Sequence, residues 1–389
     1  MLADRAWVER NLGFDPVSNP PPAAAFANAA AAKPNRTPED LQREIIDFDS
    51  EGPEGAAFFA FSRATGLSRF TDIKWPDKLA PTPKAPPRRG GKLPKAKALV
   101  VTWTVDEGHA LSRVLTPGKD SRNDYVPYER NYAALARQMS KGAPAVAAHR
   151  LGAYWTTTIG GNSAVIFKSE SHLSQDTNKH LPKNDVLPNA LLWKQIIEDV
   201  EPELVITTGT GGGIGAQFEV GDVVVSPVVR FDSQKWLKRA PFAEAHYEAA
   251  PPPTKYLSTA EKLFQYNSSQ LPSDNTRPPN IVTVSSNKLA SSIVTTDFFG
   301  FDTSDDHYRL QGLGDVCEMG DAVLGMVADA MKSAAPHWIA VRNVSDPQIK
   351  ADGLSLKQQA DMAGQIYKGY GRWSTVCSAI VCWALIAAF

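Results

Sequence analysis

The segment from Glu203 to Pro227, ELVITTGTGGGIGAQFEVGDVVVSP, has the composition best suited to holding a ligand close to the backbone. An apolar run leads into a cluster of glycines, which allow backbone conformations and a close ligand approach that side chains would block. We therefore expect Gly211 and Gly212 to contact a ligand. A tight glycine-rich turn without a ligand is the other interpretation of these residues.

The glycine spacing also matches a G-x-G-x-x-A dinucleotide fingerprint at Gly211, Gly213 and Ala216. A turn of that kind must open directly into a long helix. Here only AQFEVG separates the glycines from the next apolar run, DVVVSP. The pattern therefore argues against a dinucleotide site.

Two acidic residues follow apolar runs at distant points of the chain and could take part in acid–base chemistry. Glu107 comes shortly after ALVVTW, and Asp346 ends HWIAVRNVSD. Each also has a structural interpretation, because Glu107 could complement a helix dipole and Asp346, before Pro347, could cap a helix. Both alternatives remain open from the residues alone.

In its strand, glycine cluster and VGDVVV run, this sequence resembles the nucleoside phosphorylase superfamily. Further stretches agree in order and approximate spacing, namely ALVVTWTVDEGHAL, KSESH, TTDFFGFD, CEMGDAVLGMVA and VRNVSD. The resemblance covers roughly residues 97 to 385, apart from insertions. It implies a purine nucleosidase or nucleoside phosphorylase with an α/β fold.

The resemblance also implies roles for individual residues. Glu107 falls on the glutamate of the nucleosidase branch, and Ser345 and Asp346 fall on the family's closing serine and aspartate. Ser169 matches the serine of a Lys-Ser-Gly turn, and Phe299 matches the aromatic residue that stacks on the purine. Met319 is expected beside base and ribose, although Phe299 and Met319 could also be core residues.

Cleavage of a purine from its sugar is helped by a general acid at N7, which needs a carboxyl group that keeps its proton. We expect Asp346 to be this acid. In a nucleosidase, water attacks the sugar from the opposite face, and Glu107 would activate it, a division of labour like that of inverting glycosidases. In a phosphorylase, phosphate is the co-substrate and takes the place of water.

Charge favours water over phosphate, because a carboxylate beside the phosphate position would repel the dianion. Asp106 and Glu107 lie in this stretch, and the Gly-Asp-Pro-x-Arg pattern of the phosphorylase branch is absent. Arg113 follows six residues later, with its direction open. We expect hydrolysis, with a phosphate-dependent phosphorylase or a non-catalytic nucleoside-sensing module as alternatives.

The sequence departs from the nucleosidase pattern at Gly320, where the resemblance implies a glutamate that holds the ribose hydroxyls. Asp321 or Glu318 could substitute for it after a small shift. Otherwise the sugar is recognised differently, or the chain has lost turnover. The nucleoside itself is left open.

These residues require elements that bring them together. Short apolar runs predict strands at residues 98–103, 164–167, 203–209, 222–229, 280–286 and 337–345, and helical periodicity lies between several of them, at 189–200, 258–266, 317–334 and the C-terminus. The alternation predicts a three-layer αβα sandwich around a central mixed, mostly parallel sheet.

Residues 1–95 differ from the rest because their Pro- and Ala-rich stretches favour an extended linker. Within them, Thr37-Pro38 is a plausible helix start. We therefore predict an N-terminal extension and linker over 1–95 and a nucleoside phosphorylase-like domain over 96–389. The apolar end, residues 374–389, is shorter than a membrane span, so we expect a buried helix or a subunit contact.

The composition describes an ordinary cytoplasmic protein: the net charge is −1, 43% of the residues are hydrophobic and only three are cysteines. Such a balance gives no reason to expect nucleic acid or a membrane as partner. The seven histidines show no metal-ligand spacing. We expect a homo-oligomer that binds a small-molecule purine nucleoside or nucleotide, without metal or cofactor.

Overall fold

A computed structural model describes residues 1–12, 72–87, 91–140, 143–173, 187–232, 241–297, 300–303, 308, 310–350 and 353–389. The helix predicted at Thr37-Pro38 and the predicted ligand residue Phe299 lie outside these ranges.

The strands within the described residues are short except near the centre of the sheet. They are β1 Leu2–Ala3, β2 Thr82–Lys84, β3 Ala98–Thr102, β4 Val126–Tyr128, β5 Gly152–Ile159, β6 Asn162–Ser169, β7 Leu204–Gly213, β8 Val223–Ser226, β9 Val228–Phe231, β10 His246–Glu248, β11 Ile281–Thr283, β12 Ile293–Thr295, β13 Val316–Glu318, β14 His337–Asp346 and β15 Gln348–Ile349. The helices are α1 Arg5–Leu12, α2 Val105–Leu115, α3 Tyr132–Ala136, α4 Pro144–Ala148, α5 Pro188–Val200, α6 Leu257–Leu263, α7 Asp321–Met331 and α8 Leu356–Ala388.

The centre of the sheet is parallel. In the order β6, β3, β7 and β14, each strand pairs in parallel with the next. Antiparallel strands flank this core, since β5 pairs with β6 and β8 pairs with β14. The carboxyl ends of β3, β7 and β14 therefore meet at one edge, which is where ligands bind in open α/β sheets.

Helices cover both faces of this sheet. Along β3, Ala98 and Val100 belong to a core that includes side chains of α2 and α8, whereas Leu99 and Val101 belong to a second core with side chains of α5 and α7. Successive side chains of a strand point to opposite faces, so the two cores lie on the two sides of the sheet. The predicted α/β class with a mixed, mostly parallel sheet is confirmed.

Two predicted elements differ in extent. The run DVVVSPVV, predicted as one strand, forms β8 and β9 with Pro227 between them, because proline cannot donate a hydrogen bond to the ladder. The stretch 317–334, predicted as helical, begins with the last two residues of β13 before α7 starts at Asp321.

Parts of the predicted extension pack against the domain. Strand β1 pairs in parallel with β15, and β2 pairs antiparallel with β5 at the edge of the large sheet. Trp7 of α1 is buried in the same core as α8, and Trp75 packs against Trp383 of α8, with ring centroids 4.8 Å apart and ring planes tilted by 40°. Residues 1–12 and 72–87 thus belong structurally to the domain that was predicted to begin at residue 96.

The C-terminal helix α8 is long and apolar enough, by length and composition, to cross a membrane. However, 83% of its most apolar 18-residue window is buried inside the protein. It packs against α2, β7 and β14. This agrees with the predicted buried terminal helix, and the burial is that of a core helix.

Candidate active site

The glycine cluster lies inside a strand, because β7 continues through Gly213. A Cβ atom at Gly211 would overlap Val316 of β13, and one at Gly212 would lie 3.0 Å from Asp346 Oδ2. A Cβ at Gly209 would overlap the Glu107 carboxylate and lie 2.8 Å from Arg342 Nη1. The glycines therefore let neighbouring strands and functional side chains approach the backbone of β7.

Glu107 lies at the start of α2, where it forms a capping box with Thr104. Its carboxylate accepts five hydrogen bonds: Oε2 from Thr102 Oγ1, Trp103 N and Thr104 N at 2.8–3.0 Å, and Oε1 from Thr210 N and Oγ1 at 2.7 and 2.8 Å. The side chain thus ties the end of β3 to the middle of β7.

The charge state of Glu107 follows from these contacts. Burial raises its pKa, but the Arg342 guanidinium and the hydrogen bonds from Thr104, Thr210 and Thr102 outweigh that effect, so the pKa lies below its ordinary value. Glu107 is therefore ionised at neutral pH.

Arg342 projects from β14 into a buried cluster of acids. Its Nε donates to Asp321 Oδ2 at 2.8 Å, its Nη2 pairs with Asp321 Oδ1, and the same Nη2 lies 3.2 Å from Glu318 Oε2. Its guanidinium carbon lies 4.8 Å from the centre of the Trp103 ring, a cation–π geometry. The positive charge of Arg342 is thus paired with acidic side chains of the protein and with the Trp103 ring.

Glu318 and Asp321 are held in fixed orientations around Arg342. Glu318 Oε1 accepts hydrogen bonds from Thr295 Oγ1 and, at 2.9 Å, from Asp321 N, while Asp321 Oδ1 accepts one from Thr207 Oγ1 at 2.6 Å. Burial and the nearby Asp321 raise the pKa of Glu318 to about 8 in spite of Arg342. Asp321 is fully buried.

Asp346, the last residue of β14, has a different environment. The Ser345 hydroxyl donates to its Oδ1 at 2.8 Å, and Asp346 lines the cavity with Gly212 and Cys317. Burial raises the pKa of Asp346 to about 7, with the Ser345 hydrogen bond acting in the opposite direction. A substantial fraction of Asp346 therefore retains its proton at neutral pH.

These groups surround one cavity. It lies at the carboxyl ends of β3, β7 and β14. Its lining consists of Trp103, Thr104, Glu107, His172, Thr210, Gly211, Gly212, Thr296, Gly300, Cys317, Glu318, Met319, Arg342, Ser345, Asp346 and Tyr367.

Most of the residues predicted to form the site meet in this cavity: Asp346, Glu107, Met319, Glu318, Ser345, Gly211 and Gly212. Two lie elsewhere. The Ser169 hydroxyl bonds to the backbone of Ser171 in the turn after β6, and Asp321 is enclosed by Arg342 and Thr207 behind the cavity wall. Both oxygens of Asp321 are engaged there.

Several lining residues were not predicted: Arg342, Trp103, Thr210, His172 and Tyr367. A charged residue within the apolar run HWIAVRNVSD was the available signal for Arg342, since an arginine in a buried strand needs a partner. His172 is buried, and burial together with Lys168 lowers its pKa to about 3. It is therefore neutral at physiological pH.

Most of the ionisable side chains described in the cavity wall are acidic. Among the described residues that line it, Glu107, Glu318 and Asp346 carry carboxyl groups and Arg342 supplies the cationic side chain. Arg113, which could have pointed here, is exposed on the surface of α2. Within the described part of the chain, histidine, cysteine and acidic side chains form no cluster suited to a metal ion.

Comparison with known families matches residues 125–366 to the phosphorylase superfamily. This match covers more than half of the chain. Among curated proteins, none matches the sequence significantly.

Solved structures with a similar chain course have low sequence identity to this protein. The 5′-methylthioadenosine/S-adenosylhomocysteine nucleosidase of Neisseria meningitidis, in complex with methylthio-immucillin-A, is 15% identical, and the match covers 75% of this chain and 100% of that chain at a TM-score of 0.43. Futalosine hydrolase of Helicobacter pylori is 11% identical, with coverages of 74% and 97% and a TM-score of 0.44. A putative 5′-methylthioadenosine/S-adenosylhomocysteine nucleosidase from Borrelia burgdorferi, bound to adenine, is 14% identical, with coverages of 74% and 98% and a TM-score of 0.44.

Proposed function

The chain belongs to the phosphorylase superfamily, and we propose that it hydrolyses the N-glycosidic bond of a purine nucleoside. Family membership confirms the prediction of an enzyme of the nucleosidase or nucleoside phosphorylase type. The observation that carries the choice of chemistry is the pair of carboxyl groups in one cavity, Asp346 with its pKa raised to about 7 and Glu107 with its pKa lowered.

Glu107 and Asp346 approach β7 at two different residues. Glu107 contacts Thr210 of β7, and Asp346 lies against Gly212 of the same strand. Two residues of an extended strand span about 7 Å. Contact points this far apart along β7 are compatible with an acid and a base that act on opposite sides of one glycosidic bond.

In this proposal Asp346 donates its proton to N7 of the purine as the bond to the sugar breaks. The electron pair of that bond goes to the base, which leaves neutral, and the sugar becomes an oxocarbenium ion. A carboxyl group with a pKa near 7 is suited to this step, because it is protonated at the working pH and still acidic enough to donate. Ser345 stabilises the carboxylate that remains.

Glu107 acts at the sugar end. Its negative charge stabilises the oxocarbenium ion, and it orients the attacking water and takes up its proton. Of its five donors, the hydroxyl of Thr210 lines the cavity and can rotate, so that Oε1 becomes available to water. Attack on an oxocarbenium ion needs little nucleophile activation, so a weak base suffices.

The charge of the cavity favours water over phosphate. A phosphate dianion needs unpaired cationic or N–H donors, whereas Arg342 is already paired with Asp321 and Glu318. Three carboxyl groups line the same space. Phosphorolysis would place the dianion beside the Glu107 carboxylate, with one neutralised arginine as counter-charge.

Chromatographic detection of released purine tests the proposal. The full chain is incubated with adenosine, inosine and their 2′-deoxy counterparts, with and without phosphate. We expect free purine and free sugar in phosphate-free buffer, and losses of at least 100-fold in Asp346→Asn and Glu107→Gln.

Asp315→Asn serves as the matched control, since Asp315 has a raised pKa of about 6 but does not line the cavity. Strict dependence on phosphate, with formation of a sugar 1-phosphate, would refute hydrolysis in favour of phosphorolysis. Tight nucleoside binding without release of any base, unchanged in Asp346→Asn, would instead support a sensing module.

A further inference from the structure

We propose that Trp103 and Met319 form an apolar wall at the sugar end of the cavity, with Gly320 and its missing side chain beside the Trp103 ring, and that this wall selects purine 2′-deoxyribonucleosides over ribonucleosides. The inference rests on the proposed function, because the position of the sugar follows from Asp346 acting on the base. It names the class of sugar that the site accepts.

The sugar end is the end near Glu107. With Asp346 placed at the base, the sugar extends along β7 from Gly212 towards Thr210 and Glu107. Trp103 borders this end directly, since its backbone N–H donates to Glu107 Oε2 at 3.0 Å. Its indole ring lies in the cavity wall.

The Trp103 ring is fixed in its position by neighbours on two sides. The Arg342 guanidinium carbon lies 4.8 Å from the ring centre, and Trp193 meets it edge-on at 6.1 Å between centroids. Only 7% of Trp103 is exposed. A ring clamped in this way presents a permanent apolar surface to the cavity.

Gly320 faces the same ring and adds no polar group. A Cβ atom at this position would lie 3.6 Å from Trp103 Cζ2 and 3.8 Å from Glu318 Oε2, which are ordinary van der Waals distances. Met319, the residue before Gly320, lines the cavity, and its side chain is half-buried and apolar. The wall at this point is therefore carbon and sulfur, with space for a small side chain.

The carboxylates around this wall already accept hydrogen bonds from the protein, and rotation of the Thr210 hydroxyl frees one oxygen of Glu107, Oε1, for water. Both oxygens of Glu107 accept hydrogen bonds from Thr102, Trp103, Thr104 or Thr210. Glu318 binds Thr295 and Asp321 N through one oxygen and lies beside Arg342 with the other. Among the described lining residues, no carboxylate thus keeps both oxygens for a pair of vicinal hydroxyls, which is what a ribose presents.

This arrangement changes which sugar is favoured. A site built to hydrogen-bond a hydroxyl strongly rejects an analogue that lacks it, whereas a hydroxyl buried against an apolar wall loses its water without compensation. The 2′-hydroxyl also withdraws electrons and destabilises the oxocarbenium ion. We therefore expect kcat/KM for a 2′-deoxyribonucleoside to exceed that for the ribonucleoside by roughly 10- to 100-fold.

The test compares kcat/KM for 2′-deoxyadenosine with adenosine and for 2′-deoxyinosine with inosine, in the full chain. Each pair has the same base, so the ratio within a pair cancels differences in the fraction of folded enzyme. Gly320→Glu supplies a carboxylate that can accept two hydroxyls, and we expect it to lower the deoxy-to-ribo ratio at least 10-fold. Gly320→Ala is the matched control, since it adds a Cβ without a hydrogen-bonding group and should leave the ratio near that of wild type.

Trp103→Phe, combined with Gly320→Glu, makes room for the longer side chain and keeps an aromatic face for Arg342. If Gly320→Glu alone fails to fold, the double variant measures the same ratio. Purine release with a wild-type deoxy-to-ribo ratio under 10, or a ratio that neither glutamate-containing variant lowers, would overturn the inference while hydrolysis stands. Absence of release from every sugar would refute the proposed function itself.

Discussion

Asp346→Asn should increase the stability of the protein and decrease its activity, with both effects depending on pH. Folding raises the pKa of this carboxyl from 3.8 to about 7 by burial. At 1.36 kcal/mol for each tenfold change in proton affinity, the full difference amounts to roughly 4 kcal/mol. Asparagine keeps the shape of the side chain but does not titrate.

The direction of the effect follows from proton binding. Between pH 3.8 and about 7 the folded state holds a proton that the unfolded chain has released, so the stability of wild type falls as pH rises and levels off above about 7. The difference in free energy of unfolding between Asp346→Asn and wild type should therefore increase in favour of the variant by roughly 3 kcal/mol from pH 5 to pH 8. Urea denaturation at both pH values measures this gain.

The same titration governs catalysis, because the acid must be protonated to donate. Above about pH 7 the kcat/KM of wild type should fall about tenfold per pH unit, whereas the residual activity of Asp346→Asn should not show this decline. Asp315→Asn should retain the wild-type profile. An equal stability difference at pH 5 and pH 8, or wild-type activity that persists unchanged to pH 9, would refute the assignment of Asp346 as a buried acid.

Other substitutions test the supporting structure. The Cβ atom of Gly209→Ala would overlap the Glu107 carboxylate, so this substitution should lower kcat/KM about 100-fold. Gly91→Ala is the control, because its Cβ would meet nothing within 4 Å, and it should leave kcat/KM unchanged. Arg342→Met leaves two buried acids unpaired and should cost about 3–5 kcal/mol in urea denaturation; an unchanged midpoint would contradict the ion-pair cluster. Trp7→Ala removes a core side chain of α1 and should lower the free energy of unfolding by about 3–5 kcal/mol. A melting temperature within about 2 °C of wild type would contradict this, because in a chain of this length such a shift corresponds to roughly 2 kcal/mol or less.

Most of the sheet could be predicted from the sequence, because its central strands are buried on both faces and appear as continuous apolar runs. The strand ALVVT and the helix at 188–200 lie where the pattern places them. Short edge strands such as β2 and β10 have no such pattern, since their side chains are largely exposed. Strand β1 has only two residues and is defined by its pairing with β15, a contact between segments that are far apart in the sequence.

The site could be predicted only in part. Glu107 and Asp346 were identifiable because acids that follow apolar runs stand out in the sequence. The partners that set their charge states were not identifiable, because they come from other strands: Thr210 from β7 binds Glu107, and Arg342 from β14 approaches it. Asp321, predicted to touch ligand, is instead engaged by Arg342, a pairing that depends on the register of β14 beside β7.

The orientation of Asp346 depends on an irregularity that no sequence period reveals. Along β14, Val344 pairs with Gly211, but Asp346 pairs with Gly212, so Ser345 is an extra residue and the ladder shifts. In a regular strand Val344 and Asp346 would point to the same face, and Val344 packs in the core. A bulge redirects the side chains that follow it. At this position it separates the acid from the core and leaves Asp346 in the cavity wall, with the Ser345 hydroxyl beside it.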